Sequence, residues 1–93
     1  MGLVRLYATL RERAGGERAV EVPWSPGETV GAVLRRLIER WPGLDGYILD
    51  DRGDVQRFVN VFVDGRDIRY LDGLDTKLED REEISVFPPV AGG

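Results

Sequence analysis

The residues of this chain with the most legible chemistry are its last six, Pro88-Pro89-Val90-Ala91-Gly92-Gly93, which follow the apolar run Ile84-Ser85-Val86-Phe87. Proline fixes φ and has no N–H to continue a sheet ladder, so a strand that reaches Pro88 stops there and the chain leaves it extended. At about 3.3 Å per residue such a tail reaches roughly 20 Å. Gly92 and Gly93 carry no β-carbon and make a tip slim enough for a narrow channel in another protein. The Gly93 carboxylate, with a pKa of about 3.5, is ionised at pH 7 and a poor electrophile, so it needs activation before a nucleophile can attack it.

The chain contains no Cys and no His. That removes thiol nucleophiles, imidazole bases and the commonest transition-metal ligands, leaving carboxylates and hydroxyls. No resident metal site is expected. Asp50-Asp51-Arg52-Gly53-Asp54 has neither the spacing of a twelve-residue calcium loop nor its closing Glu, and reads as a solvated turn. The net charge is −4, and the 13 basic residues, of which only Lys77 is lysine, are dispersed instead of forming a stripe. Nucleic-acid binding is therefore not expected, whereas an acidic surface suits docking on a basic partner face. With 93 residues, 42% hydrophobic and 32% charged, the composition is that of one small soluble domain. The apolar runs are too short to span a bilayer and no signal peptide is visible, so the cytoplasm is the expected compartment.

The elements that must position the tail follow from periodicity. Residues 3–10 alternate, with Val4, Leu6, Ala8 and Leu10 on one face and Leu3, Arg5, Tyr7 and Thr9 on the other, which predicts a strand. After Gly15-Gly16, residues 18–24 resume the alternation with Val20, Val22 and Trp24 inward, completing a hairpin. Thr29 is a candidate N-cap for a helix whose stripe is Val30, Val33, Leu34, Leu37, Ile38 and Trp41, and Pro42-Gly43 stops it. In the segment 44–56, Leu44, Tyr47, Ile48 and Leu49 predict one further helical turn over the core. Residues 57–63 predict a strand with Val59, Val61 and Val63 on one face and Phe58, Asn60 and Phe62 on the other. A short extended piece at Ile68 to Leu71, core plugs at Leu74 and Leu78, and a charged turn from Glu79 to Glu83 lead to a last strand with Ile84 and Val86 inward and Phe87 outward.

One helix with one apolar stripe, among four or five strands with one apolar face each, is satisfied by packing the helix across a mixed sheet. The final strand then enters beside the first. The expected class is α+β, a single β-grasp domain over residues 1–93 with residues 88–93 as its tail. Tyr7, Phe62 and Phe87 fall on the sheet face opposite the helix, where an exposed aromatic cluster gives a docking surface its anchors.

Phe87-Pro88-Pro89-Val90-Ala91-Gly92-Gly93 resembles the C-terminal signature of the ubiquitin-like sulfur carriers, the MoaD/ThiS family that includes the small subunit of molybdopterin synthase. Val4 to Glu12 with Gly15-Gly16, Thr29-Val30-Gly31 at the helix start and Pro42-Gly43 at its end extend the resemblance over most of the chain. It implies a co-substrate, not an enzyme. An adenylating E1-like partner of the MoeB/ThiF type would use ATP to form an acyl-adenylate on Gly93, and a sulfur source would displace AMP to leave a thiocarboxylate. No bound cofactor is implied, and the ATP is the partner's. With Gly93 and Gly92 at the reacting end, Phe87, Pro88, Pro89, Val90 and Ala91, together with Tyr7 and Phe62, would meet the partners. The resemblance points first to molybdenum-cofactor assembly, with the large subunit of molybdopterin synthase as recipient. The same chemistry serves cysteine, thiamine or thiolated-tRNA synthesis, and Arg57-Phe58-Val59-Asn60 with the long 44–56 segment resembles the CysO-type branch whose recipient is a cysteine synthase. Two other readings stay open: a ubiquitin-like modifier joined through Gly93 to lysines of other proteins, and a plain binding module with an incidental tail.

Overall fold

The computed structural model describes residues 2–80 and 82–89. Strand β1 (Gly2–Leu6) buries Gly2, Val4 and Leu6 and turns Leu3 and Arg5 outward. It pairs antiparallel with β2 (Ala19–Val22), setting Val4 opposite Val20, and Trp24 continues the inward face of β2 beyond the strand end. On its other side β1 pairs in parallel with β5 (Glu83–Phe87), with Val4 opposite Ile84. Strand β3 (Asn60–Val63) lies antiparallel to β5, and the two-residue β4 (Arg66–Asp67) closes the edge, giving the order β2-β1-β5-β3-β4. This is the expected β-grasp arrangement, with the last strand in the middle of the sheet.

The main helix α2 (Val30–Arg40) packs its stripe across the inner face, burying Val30, Gly31, Val33, Leu34 and Leu37. Thr29 caps it, its hydroxyl accepting from the Ala32 N–H at 3.2 Å, so one orphan donor of the first turn is satisfied. Arg36 ties the helix to the preceding loop, donating to Glu28 Oε1 at 2.7 Å and to the Pro23 carbonyl at 2.6 Å. A 3-10 turn, Pro42–Leu44, follows the helix. Gly43 sits where a β-carbon would stand 2.7 Å from the Arg13 carbonyl oxygen, so only glycine lets these two backbones meet. Among the described residues no helix is long and apolar enough to cross a membrane.

Five local expectations are corrected. The strand expected over 3–10 ends at Leu6, because Ala8 takes φ 51° and the chain folds into a short helix α1 (Thr9–Glu12). Leu10 still reaches the core from that helix, while Ala8 is exposed; Arg11 Nε holds the crossing by donating to the Leu6 carbonyl at 2.8 Å. In the segment 44–56, Leu44, Ile48 and Leu49 are buried but do not extend the helix. The chain closes instead on an antiparallel bridge between Leu49 and Val55, around an Asp50 carboxylate that accepts from the Arg52 and Asp54 N–H groups. Tyr47 stays 45% exposed under the Arg13 guanidinium, 3.4 Å from the ring centroid.

The strand expected over 57–63 begins only at Asn60, since Gln56 to Val59 form a turn closed by the Val59 N–H on the Gln56 carbonyl at 3.1 Å. Phe58, at φ 68°, therefore leaves the sheet and does not share a face with Phe62. Ile68–Tyr70 is a 3-10 turn, not an extended piece, because the Asp67 carboxylate accepts the Arg69 N–H at 2.9 Å and caps it. Leu78 is fully buried and Leu74 partly, as plugs should be, and Glu83 belongs to β5 and not to the charged turn before it.

Candidate docking face and tail root

Alternation along β5 sends Ile84 and Val86 into the core and leaves Glu83, Ser85 and Phe87 on the open face. The register sets Phe62 of β3 opposite Ser85, two pairs from Phe87 and on the same face, and Tyr7 follows the end of β1 on the other side. The three rings meet. Tyr7 stacks on Phe87 with centroids 4.2 Å apart and planes 13° apart, and Phe62 approaches Phe87 edge-on at 5.5 Å and 86°. The edge-on approach suits the ring quadrupoles, and such a pair adds about 0.5–1.5 kcal/mol beyond area burial. The Arg11 guanidinium lies 5.5 Å from the Tyr7 ring, extending the patch toward α1.

Below the rings runs a polar lane. Arg5 Nε donates to Glu83 Oε2 at 2.9 Å and its NH2 to Oε1 at 3.3 Å, a two-pronged pair between adjacent strands. The hydrogen bond from Arg5 holds the Glu83 carboxyl below the usual carboxylate range, against a smaller opposing effect of desolvation. Both partners are solvent-exposed, so the pair adds little stability and mainly fixes the side chains flanking the patch.

β5 ends at Phe87, where the missing N–H of Pro88 ends the ladder. Pro88 borders a shallow depression of about 520 Å³ on the open face, lined by Asn60, Phe62, Gly65, Ser85 and Phe87. Pro89, exposed, is the last residue described. Val90, Ala91, Gly92 and Gly93 lie outside the described residues, so the expected reacting end has no geometry here. Tyr7, Phe62 and Phe87 are thus brought together on the open face, as the alternation predicted, and Pro88 of the tail borders Phe62 and Phe87. Sequence reasoning missed one contributor, Arg11, which reads as part of a short polar, helix-tolerant piece but joins strand end to aromatic patch, and it placed Phe58 on this face, from which a positive φ removes it.

The family model described as the ThiS family matches residues 4–93. Across 97% of its length the chain is 43% identical, over 90 residues, to small archaeal modifier protein 3 of Haloferax volcanii, 96% of which is covered. It is 34% identical over 92 residues to sulfur carrier protein CysO of Mycobacterium tuberculosis, covering 97% of this chain and 96% of that protein. In the crystal structure of the Amycolatopsis orientalis BexX/CysO complex, one chain superimposes with a TM-score of 0.86 at 29% identity, covering 100% of each. A five-stranded β-grasp whose sequence matches from Val4 to Gly93 belongs to the ThiS family of ubiquitin-like sulfur carriers.

Proposed function

We propose that this chain is a sulfur carrier whose Gly93 carboxyl is activated by an ATP-dependent adenylating enzyme and converted to a thiocarboxylate. In the first step a Gly93 carboxylate oxygen attacks the α-phosphorus of ATP and pyrophosphate leaves. In the second, hydrosulfide attacks the carbonyl carbon, AMP leaves with the original carboxylate oxygen, and a C–S bond replaces the C–O bond. The chain's part is to present the carboxyl and to be recognised.

The observation that carries this reading is the stacked Tyr7, Phe87 and Phe62 cluster standing at the root of the tail. An enzyme seated on that patch has Pro88 at its edge. The four residues from Val90 to Gly93 can then span about 13 Å into its active site. A β-carbon at either glycine would widen the tip.

For the recipient, the tail sequence supports the large subunit of molybdopterin synthase, as expected first. The likeness to sulfur carrier protein CysO over nearly the whole chain supports a cysteine synthase. The likeness to small archaeal modifier protein 3 favours a second reading, conjugation of Gly93 to lysines of other proteins. Incubation with the adenylating enzyme of its own cell, ATP and sulfide, followed by intact-mass measurement, should show one oxygen exchanged for sulfur. Deletion of Gly93 should abolish the exchange, and offering the thiocarboxylate to each purified recipient should identify the acceptor. If the full chain never gains sulfur and instead appears as isopeptide adducts, the modifier reading replaces the carrier reading.

A further inference from the structure

The pairing of β5 stops at its end on both sides, with Leu6 of β1 opposite Val86 and with Asn60 of β3 opposite Phe87. Past that point β1 has turned into α1, and the Val59 N–H, next in line on β3, donates back to the Gln56 carbonyl at 3.1 Å. Pro88 and Pro89 have carbonyls to be held and no N–H to offer. A tail that leaves a sheet this way is aimed only if a side chain supplies the donors that the neighbouring backbones withhold.

Asn60 stands at that place. It lines the open-face depression that Pro88 borders, and also a groove of about 1150 Å³ that Pro89 borders. With Val61 and Val63 buried, alternation along β3 puts the Asn60 side chain on the open face beside Phe87. Its Oδ1 accepts from Arg69 Nη2 at 2.8 Å. A guanidinium has donors only, so the oxygen must be the atom that faces it, and the carboxamide cannot flip. Arg69 is gripped in turn by Asp67, with Nε 3.2 Å from each carboxylate oxygen and Nη2 2.7 Å from Oδ2. The line from Asp67 through Arg69 to Asn60 draws electron density toward Oδ1 and sharpens the amide N–H groups as donors. Nδ2 itself has no partner among the described residues. Arg35 and Arg57 border the same groove and are in no ion pair among the described residues, but both are exposed on long stems. Ordering either one costs rotamer freedom that the Asn60 amide has already given up.

We propose that Asn60 is a positioning residue for the reaction at Gly93: on the activating enzyme its Nδ2 donates to a backbone carbonyl of Pro88 or Pro89 and sets the direction in which the tail leaves the sheet. Arg69 acts through Asn60. The proposal rests on the reading of Gly93 as the activated end. Direction at the root matters because the four residues beyond Pro89 span about 13 Å, so a swing of about 10° displaces the carboxyl by roughly 2 Å, enough to lose in-line attack on a phosphate.

The test measures carrier-dependent release of pyrophosphate from ATP by the purified adenylating enzyme of its own cell, as a function of carrier concentration. Asn60→Ala leaves the Tyr7, Phe62 and Phe87 patch in place, so KM for the carrier should stay within about twofold while kcat falls about tenfold or more. Asn60→Asp keeps an acceptor for Arg69 and loses the donor, and its kcat should fall as far. Arg69→Ala should lower kcat less, and should add nothing further in the Asn60→Ala background. Urea midpoints should stay close to wild type in all of them. An unchanged kcat in Asn60→Ala overturns the proposal, and a lowered urea midpoint with kcat intact overturns it in favour of a structural role. A raised KM with kcat intact does so as well, making Asn60 one more docking contact, and so does an Arg69 effect that persists without Asn60. A wild-type chain that releases no pyrophosphate with that enzyme defeats the Gly93 reading itself, before any variant is compared.

Discussion

Phe87 and Phe58 are two aromatics with opposite relations to the fold. Phe87 is half-buried between Tyr7 and Phe62, so Phe87→Ala removes one stacked and one edge-on contact and should cost about 1–2 kcal/mol in urea unfolding. Its effect on affinity for the adenylating enzyme should be larger, and calorimetry that found binding unchanged would remove the patch from the docking surface. Phe58→Gly should act in reverse, leaving stability unchanged or raising it by up to about 1 kcal/mol, because glycine takes φ 68° without strain. A clear loss would mean that the ring packs against the domain. The first residue was legible in the sequence and the second was not. Alternation around Ile84 and Val86 fixes the face of Phe87, whereas nothing in Gln56-Arg57-Phe58-Val59 signals that the third residue turns left-handed.

At the scale of elements, α2 was readable because three independent signals agree: a cap at Thr29, an i, i+3, i+4, i+7 stripe, and a Pro-Gly stop. Leu34 and Leu37 are fully buried, so Leu34→Ala or Leu37→Ala should cost about 2–5 kcal/mol. Exposed Arg35→Ala should stay within about 0.5 kcal/mol, and equal effects from all three would contradict the packing of α2 on the sheet. The short pieces were not readable, since α1 has four residues and the Ile68–Tyr70 turn three. Segments of that length complete no period, and their form is decided by contacts made elsewhere, by Arg11 on the Leu6 carbonyl and by the Asp67 carboxylate on the Arg69 N–H. The burial of Leu10, Leu44, Ile48 and Leu78 was visible all the same, because apolar character survives a change of backbone.

For the whole molecule, the strand order puts β5 between β1 and β3, so the tail leaves from the centre of the sheet and its root is held on both sides. On the acid side of neutrality the titrating groups are carboxylates alone, because the chain has no His. The Glu28, Asp67 and Glu83 carboxyls are held below their ordinary range, each chiefly by a hydrogen bond from an arginine, Arg36, Arg69 and Arg5 in turn; backbone N–H groups add to the first two. A carboxylate whose folded pKa lies below its unfolded value contributes stability that is complete above the unfolded value, about 4, and is lost as pH falls through the folded value. The urea midpoint should therefore be flat from about pH 5 to 7, where no side chain of ordinary pKa titrates, and fall below about pH 4. Glu28 joins the Ser25 N–H and the Arg36 guanidinium at the entry to α2, so Glu28→Gln should lower the plateau slightly and make the acid fall shallower. The Glu83 and Glu28 pairs stand open to solvent, so their share of the fall should be gentle and further reduced in about 1 M salt, whereas the Asp67 side chain is more covered. A midpoint that changed steeply between pH 5 and 7 would require a buried, strongly shifted carboxyl and would contradict these arginine pairs as the source of the acid response.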